Sequence, residues 1–335
     1  MKALITLGRD ERFSTFFPAE NIELAHSLGK IIWNEGEAQW TNTEAAEKIG
    51  DCDVYVTGWD CPRLDETILA RAKKLKLMVH LGGTIAPYAT DAVWEKGVRV
   101  ISGNNIMAES VAEATVAYIL TAQRRIPHYS RRFEESAVWR EEGDFTDSLL
   151  GKTIGLVSYG AIAKHLVRML APFRVKIKVY DVQPLPEEDK KKYALTAAGL
   201  DEIFSTCDIV SLHTPLYDQT YRMIDNRLLS MMKKNALFVN TARAELVDTE
   251  ALIRHLNAGN FRAIIDVYEQ EPPKKDDPIF GAKNTVLLPH MGGPTVNLRS
   301  YITEVLLKEA AAFIDGDGDL PHEITKEMKN RMSLK

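Results

Sequence analysis

Residues 152–181 read KTIGLVSYGAIAKHLVRMLAPFRVKIKVYD, and their pattern decides the fold. An apolar run from Thr153 to Val157 ends in Ser158-Tyr159-Gly160. Ile162, Leu166, Met169, Leu170 and Phe173 then recur at three- and four-residue steps, the period of a helix with one apolar face. A second run rich in β-branched residues, from Val175 to Tyr180, closes on Asp181. The order is strand, tight turn, helix, strand, acidic residue. A helix entered through a tight turn offers unpaired backbone N–H groups to a pyrophosphate, and a carboxylate about 20 residues further on accepts ribose hydroxyls. The stretch therefore reads as a dinucleotide-binding unit. Its G-x-G-x-x-G register falls on residues 158–163. Gly160 keeps the middle position, where backbone approaches phosphate, and Ala163 still permits close helix–strand packing. Ser158 stands where the first Gly is usual, so either φ there is ordinary or the serine is strained.

Downstream, strands are expected at 208–213, 236–240, 262–267 and 285–288, with helices at 200–206, 226–232, 249–257 and 297–314. The strand ends carry HTPL from His213, NTARAELVD from Asn240, DVYEQEP from Asp266 and PHMGG from Pro289. Upstream, strands at 3–7, 31–33, 53–57, 77–81 and 98–101 alternate with helices at 19–28, 43–49, 65–73 and 87–96, three of them stopped by Gly. Alternating βα units argue for parallel sheets covered by helices, with functional loops at the carboxyl ends of the strands. Two such loops are Thr57-Gly58-Trp59-Asp60 and Leu81-Gly82-Gly83-Thr84. A long helix over 107–125 is expected to join two domains. The stretch 126–143, with Tyr129, Phe133 and Trp139, reads as an arm that packs on a second subunit, and the charged tail from Pro321 as loosely held. His80, within an apolar strand, reads as a satisfied core residue.

The chain has 335 residues, room for two domains, and a mixed charge with a net of −5, which gives no footprint for nucleic acid. The opening MKALITLGRDER has too short an apolar run for a signal peptide, and no stretch approaches the roughly 20 apolar residues of a membrane span. Cys52, Cys61 and Cys207 are widely spaced and form no metal-ligand pattern, so no metal is expected and a cytoplasmic location is.

Arg243, Glu271 and His290 stand just past three strand ends of the sheet that carries the nucleotide turn. Hydride transfer to a 2-keto acid asks for a cation to hold the carboxylate and polarise the carbonyl, which an arginine fork does. It asks for an acid that titrates near neutrality, and for a carboxylate that orients the imidazole and favours its charged form. Alone, each residue is better read as a surface ion-pair partner, a solvated carboxylate or a turn cap. Together, at the ends of three strands of one sheet, they point to catalysis.

The Gly160 turn with Asp181, HTPL, NTARAELVD, DVYEQEP and PHMGG, in this order and at these intervals, resemble the D-isomer-specific 2-hydroxyacid dehydrogenases over nearly the whole chain. The resemblance implies an α/β protein of two doubly wound parallel-sheet domains. One is a flavodoxin-like substrate-binding domain, discontinuous over 1–104 and 295–335; the other is a Rossmann-type NAD-binding domain over 105–294. It implies catalysis by His290 as acid/base, Glu271 as its partner and Arg243 as substrate ligand. Leu81, Gly82 and Gly83, together with Arg243, would bind substrate, the Gly82-Gly83 loop offering backbone N–H groups to its carboxylate. The cofactor would be held by Tyr159, Gly160, Ala161, Ile162, Asp181, His213, Thr214, Pro215, Thr241, Ala242, Arg243, Asp266, His290, Gly292 and Gly293. Ala244 stands where the family usually has Gly, so its φ is expected to be negative. Asp181 precedes Val182 and Gln183 with no adjacent Arg, which favours NAD(H) over NADP. The implied partners are a small 2-keto or 2-hydroxy acid and a second copy of the chain, joined as a homodimer through the NAD-binding domain, with no nucleic acid or membrane. The alternative is an NAD-sensing regulatory protein on the same fold, which would carry the same motifs. A methyltransferase on a similar sheet would have no use for Arg243, Glu271 and His290 together.

Overall fold

The computed structural model describes residues 1–333. Its chain divides into two compact units, one formed by Met1–Ala108 with Pro294–Lys335, the other by Glu109–Gly293. In the first unit five short strands, β1 (Lys2–Ile5), β2 (Lys30–Trp33), β3 (Val54–Thr57), β4 (Leu77–His80) and β5 (Arg99–Ser102), pair in parallel in the order β2-β1-β3-β4-β5. That is the flavodoxin-like order, with its switch point between β1 and β3. Because side chains alternate across a strand, Ala3, Ile5, Val54, Val56, Leu77 and Val79 pack into one layer and Leu4, Tyr55, Met78 and Val100 into the opposite one. The helix Val296–Ile314 returns late in the chain and lays Ile302, Leu306, Leu307 and Ala310 on the first of these layers.

The second unit holds β6 (Thr153–Val157), β7 (Lys176–Tyr180), β8 (Thr196–Ala197), β9 (Ile209–Leu212), β10 (Leu237–Asn240), β11 (Arg262–Ile265) and β12 (Thr285–Leu287). Their order is β12-β11-β10-β9-β6-β7-β8, all parallel, so β6 lies at the switch point between β7 and β9. This is the doubly wound Rossmann arrangement extended by one strand. Leu237 and Val239 face one core and Phe238 the other, as a sheet buried on both sides requires. The helix Asn104–Gln123 starts in the first unit and continues into the second. Among the described residues no helix is long and apolar enough to cross a membrane, and no three His, Cys, Asp or Glu side chains gather as a metal site.

Two expectations need correction. The tail from Pro321 to Ser333 is tied down; the last two residues lie outside the described ones. Ser102 N–H donates to His322 O at 3.1 Å and Ile324 N–H to Val100 O at 2.8 Å, so the tail bridges β5 in the antiparallel sense. Ile324 is 3% exposed, Glu323 meets the Arg99 fork at 2.6 and 2.5 Å, and Lys326 and Lys329 pair with Asp91. The charges that suggested looseness find partners far away in sequence. Second, the helix expected over 87–96 shrinks to Ala92–Glu95. Tyr88 O and Thr90 N–H are taken by Leu64, and this bridge outweighs helical periodicity. The stretch read as an arm begins as a helix, Ile126–Ser136. Arg132 gathers Asp144 and Glu141 beside it, while Trp139 stays 76% exposed.

Candidate active site

The turn after β6 takes the second of the two geometries open to it. Ser158 adopts φ +79°, a region L-residues rarely occupy. Its N–H donates to Tyr180 O at 2.7 Å and its hydroxyl meets Thr214 Oγ1 at 2.9 Å. Thr214 in turn donates to Val157 O at 3.1 Å. These bonds hold the serine where a glycine would otherwise relieve strain. Gly160 is the N-cap of the helix Ala161–Leu170, and no side chain caps it. The first N–H groups of that helix therefore lack intrahelical acceptors, and a Cβ on Gly160 would meet nothing within 4 Å. An open, uncapped, ten-residue helix start fits a pyrophosphate. Asp181 lies at the end of β7. Its carboxylate accepts from Tyr159 N–H at 2.6 Å and Gln183 N–H at 2.7 Å, so the Tyr159 amide is already engaged.

Past β9, His213 is buried, with Nε2 3.0 Å from Ser211 Oγ and Nδ1 without a partner among the described residues. Burial pushes its pKa down to about 4. Thr214 beside it is also buried, and Pro215 half-buried. Past β10, Asn240 shapes the turn: its side chain accepts from Ala242 N–H at 3.0 Å and donates to Arg243 O at 2.9 Å. Thr241 and Ala242 are buried. Ala244 opens a short 3-10 turn and is not among the positive-φ residues, in keeping with its having a Cβ. Arg243 donates from Nη1 to Ala242 O at 2.7 Å. Burial lowers its pKa, and the nearby Glu271 and Glu245 carboxylates oppose that.

Past β11 and β12 two acids fix the loop that bears His290. Asp266 is buried and accepts Met291 N–H at 2.8 Å and Gly292 N–H at 2.7 Å. Burial raises its pKa, the two N–H bonds and His290 pull it down, and Glu271 adds to the rise. A Cβ on Gly292 would lie 2.8 Å from Asp266 Oδ2, so the close approach needs glycine. Glu271 Oε2 meets His290 Nδ1 at 2.6 Å, and its Oε1 accepts Tyr268 N–H at 3.0 Å. His290 takes φ +52°. Non-glycine residues held in such conformations cluster at functional sites, where surrounding bonds over-determine them. A carboxylate on Nδ1 assigns the proton to that nitrogen and leaves Nε2 as the working atom.

The strand ends of the second unit thus bring Glu271 within electrostatic reach of Arg243, His290 and Asp266, and Asp266 within reach of His290. Sequence reasoning missed Tyr268, which fixes Glu271 through its amide and whose hydroxyl donates to Leu288 O at 2.8 Å. Its place between Asp266 and Glu271 was the available signal. Ser110, whose hydroxyl donates to Gly293 O at 3.2 Å, had none. In the first unit, the Leu81 N–H is spent on Thr57 O at 2.8 Å. The N–H groups of Gly82 and Gly83 carry no such bond among the described residues.

A doubly wound sheet with an uncapped helix at its switch point, and a histidine–carboxylate pair and an arginine at its strand ends, is an arrangement suited to dinucleotide-linked oxidoreduction. Residues 116–292 match the D-isomer specific 2-hydroxyacid dehydrogenase NAD-binding domain, and the chain belongs to that family. It is 30% identical over 319 residues to D-3-phosphoglycerate dehydrogenase of Methanocaldococcus jannaschii, covering 91% of this chain but only 60% of that protein. It is 30% identical over 309 residues to glyoxylate reductase of Thermococcus litoralis, covering 90% of this chain and 92% of that one. In fold it is similar to a phosphoglycerate oxidoreductase from Rhizobium etli, with a TM-score of 0.80, 23% identity, and coverage of 97% and 99%. The family supports NAD-linked oxidoreduction of 2-keto and 2-hydroxy acids.

Proposed function

We propose that the protein reduces a small 2-keto acid to the D-2-hydroxy acid, with NADH preferred over NADPH. The observation that carries the reading is the 2.6 Å contact of His290 Nδ1 with Glu271, with Arg243 electrostatically coupled to the same carboxylate. When bound, the nicotinamide cofactor supplies the hydride. Gly160, Ala161 and Ile162 would face its pyrophosphate, Asp181 its ribose, Thr214 and Pro215 its adenine side, and Asp266 its carboxamide. Arg243 holds the substrate carboxylate and draws electron density from the carbonyl oxygen. Gly82 and Gly83, in the first unit, would offer amide donors to a carboxylate. His290 Nε2 gives its proton to the oxygen at C2, and Glu271 stabilises the imidazolium that exists before that transfer. The reading is supported by the relatives named as reductases and dehydrogenases of such acids.

Ile126, Phe133, Trp139, Phe145 and Leu150 of the second unit are exposed, and we assign this stretch of the chain to the interface of a homodimer. The test of function is a panel of glyoxylate, hydroxypyruvate, pyruvate and 2-ketobutyrate with NADH. Turnover of at least one is expected. His290→Ala should lower kcat by about 10²–10⁴ with NADH affinity kept. Absence of turnover on every keto acid, with NADH still bound, would favour an NAD-sensing protein instead.

A further inference from the structure

His80 closes β4 directly before the Leu81-Gly82-Gly83 turn. It is fully buried, and neither ring nitrogen has a hydrogen-bond partner among the described residues. His80 is therefore the core residue expected, but not a satisfied one. A leucine or phenylalanine there would carry no orphaned polar atoms, so packing alone does not explain an imidazole. Its surroundings suggest a reason. A Cβ built on Gly82 would lie 2.4 Å from His80 Nε2 and 3.1 Å from Trp59 Nε1, so the backbone of the turn rests on the edge of the ring. The face of the ring stacks on Tyr88, with centroids 4.4 Å apart. The Tyr88 hydroxyl accepts Asp60 N–H at 3.2 Å. One side chain thus connects the loop after β3, which carries Trp59 and Asp60, with the loop after β4. Burial pushes the pKa of His80 to about 3, so the ring stays neutral near an incoming anion.

We infer that His80 is a positioning residue for the substrate carboxylate: its ring edge fixes the height and direction of the Gly82 and Gly83 amides and registers that turn against the Trp59–Asp60 loop. The inference rests on the proposed keto-acid reduction. Its effect belongs on substrate capture, because amide donors displaced by a fraction of an ångström lose the oxyanion they were set to meet. The ring and the missing Cβ of residue 82 also form a matched pair, which a double-mutant cycle can read.

The experiment measures KM and kcat of the full-length protein for its best keto acid and for NADH, in the wild type, His80→Ala, Gly82→Ala and the double variant. Each single change is expected to raise KM for the keto acid about tenfold, with kcat and KM for NADH moving less than about threefold. The double variant is expected to fall well short of the product of the two, because the new methyl group enters the space the ring has left. If His80→Ala does not fold, His80→Asn is read the same way. An unmoved keto-acid KM, an equal rise in KM for NADH, or a strictly multiplicative double variant would overturn the role of His80 and leave the enzyme reading intact. A wild type that turns over no keto acid removes both.

Discussion

At the scale of single residues, the site depends on a few close approaches. Gly292 is one: a methyl group there would stand 2.8 Å from Asp266 Oδ2, where two N–H bonds now hold the loop. Gly292→Ala should cost about 1–3 kcal/mol in urea unfolding and lower kcat together, through overpacking and a disturbed buried acceptor. Unchanged stability with normal kcat would mean that the loop yields freely. Asp181 is a second such residue. Its carboxylate anchors two amides and would repel a 2′-phosphate, so Asp181→Ala should lower the NADH-over-NADPH ratio of kcat/KM by about tenfold or more. A ratio that does not move would refute the ribose assignment. The positions of Arg243, Glu271 and His290 past three strand ends were legible in the sequence, because each follows an apolar run. The strain at Ser158 and the orphan state of His80 were not. A serine does not announce positive φ, and an apolar strand pattern says nothing of what its one histidine touches.

At the scale of elements, most strands and helices follow their hydrophobic period, and the misreadings fall where distant partners intervene. The tail is the clearest case. Periodicity sees only local spacing, while Glu323 meets Arg99 from 224 positions away. The relative weights of its contacts can be argued. Ile324 is 3% exposed within the core beside Val98 and Val100, so Ile324→Ala should destabilise by about 2–4 kcal/mol. The Arg99–Glu323 pair is about one-third exposed on both sides, so Glu323→Ala should cost about 1 kcal/mol or less, and less still in high salt. Urea midpoints in the opposite order would mean that the fork, and not the buried isoleucine, secures the tail.

At the scale of the whole molecule, each unit contains a buried neutral histidine, His80 in the first and His213 in the second. Their folded pKa values, about 3 and about 4, lie below the unfolded value of about 6.5. Between those values the unfolded chain binds more protons than the folded one, so the stability these groups allow is complete above pH 6.5 and declines as pH falls towards 4 and 3. Each should contribute a slope of about 1.4 kcal/mol per pH unit within that window. His128, His165 and His255 are lowered too, with partial burial the leading cause, and act in the same sense. Urea unfolding at pH 7, 6 and 5 should therefore give steadily falling midpoints. If the two units unfold separately, each transition carries the slope of its own buried histidine. His80→Phe should flatten the pH dependence of the first unit whatever it does to stability at pH 7, because phenylalanine keeps an aromatic face for Tyr88 but cannot take a proton. A His80→Phe slope equal to that of the wild type would mean that this ring is protonated in the folded state, and its burial as a neutral group would have to be abandoned.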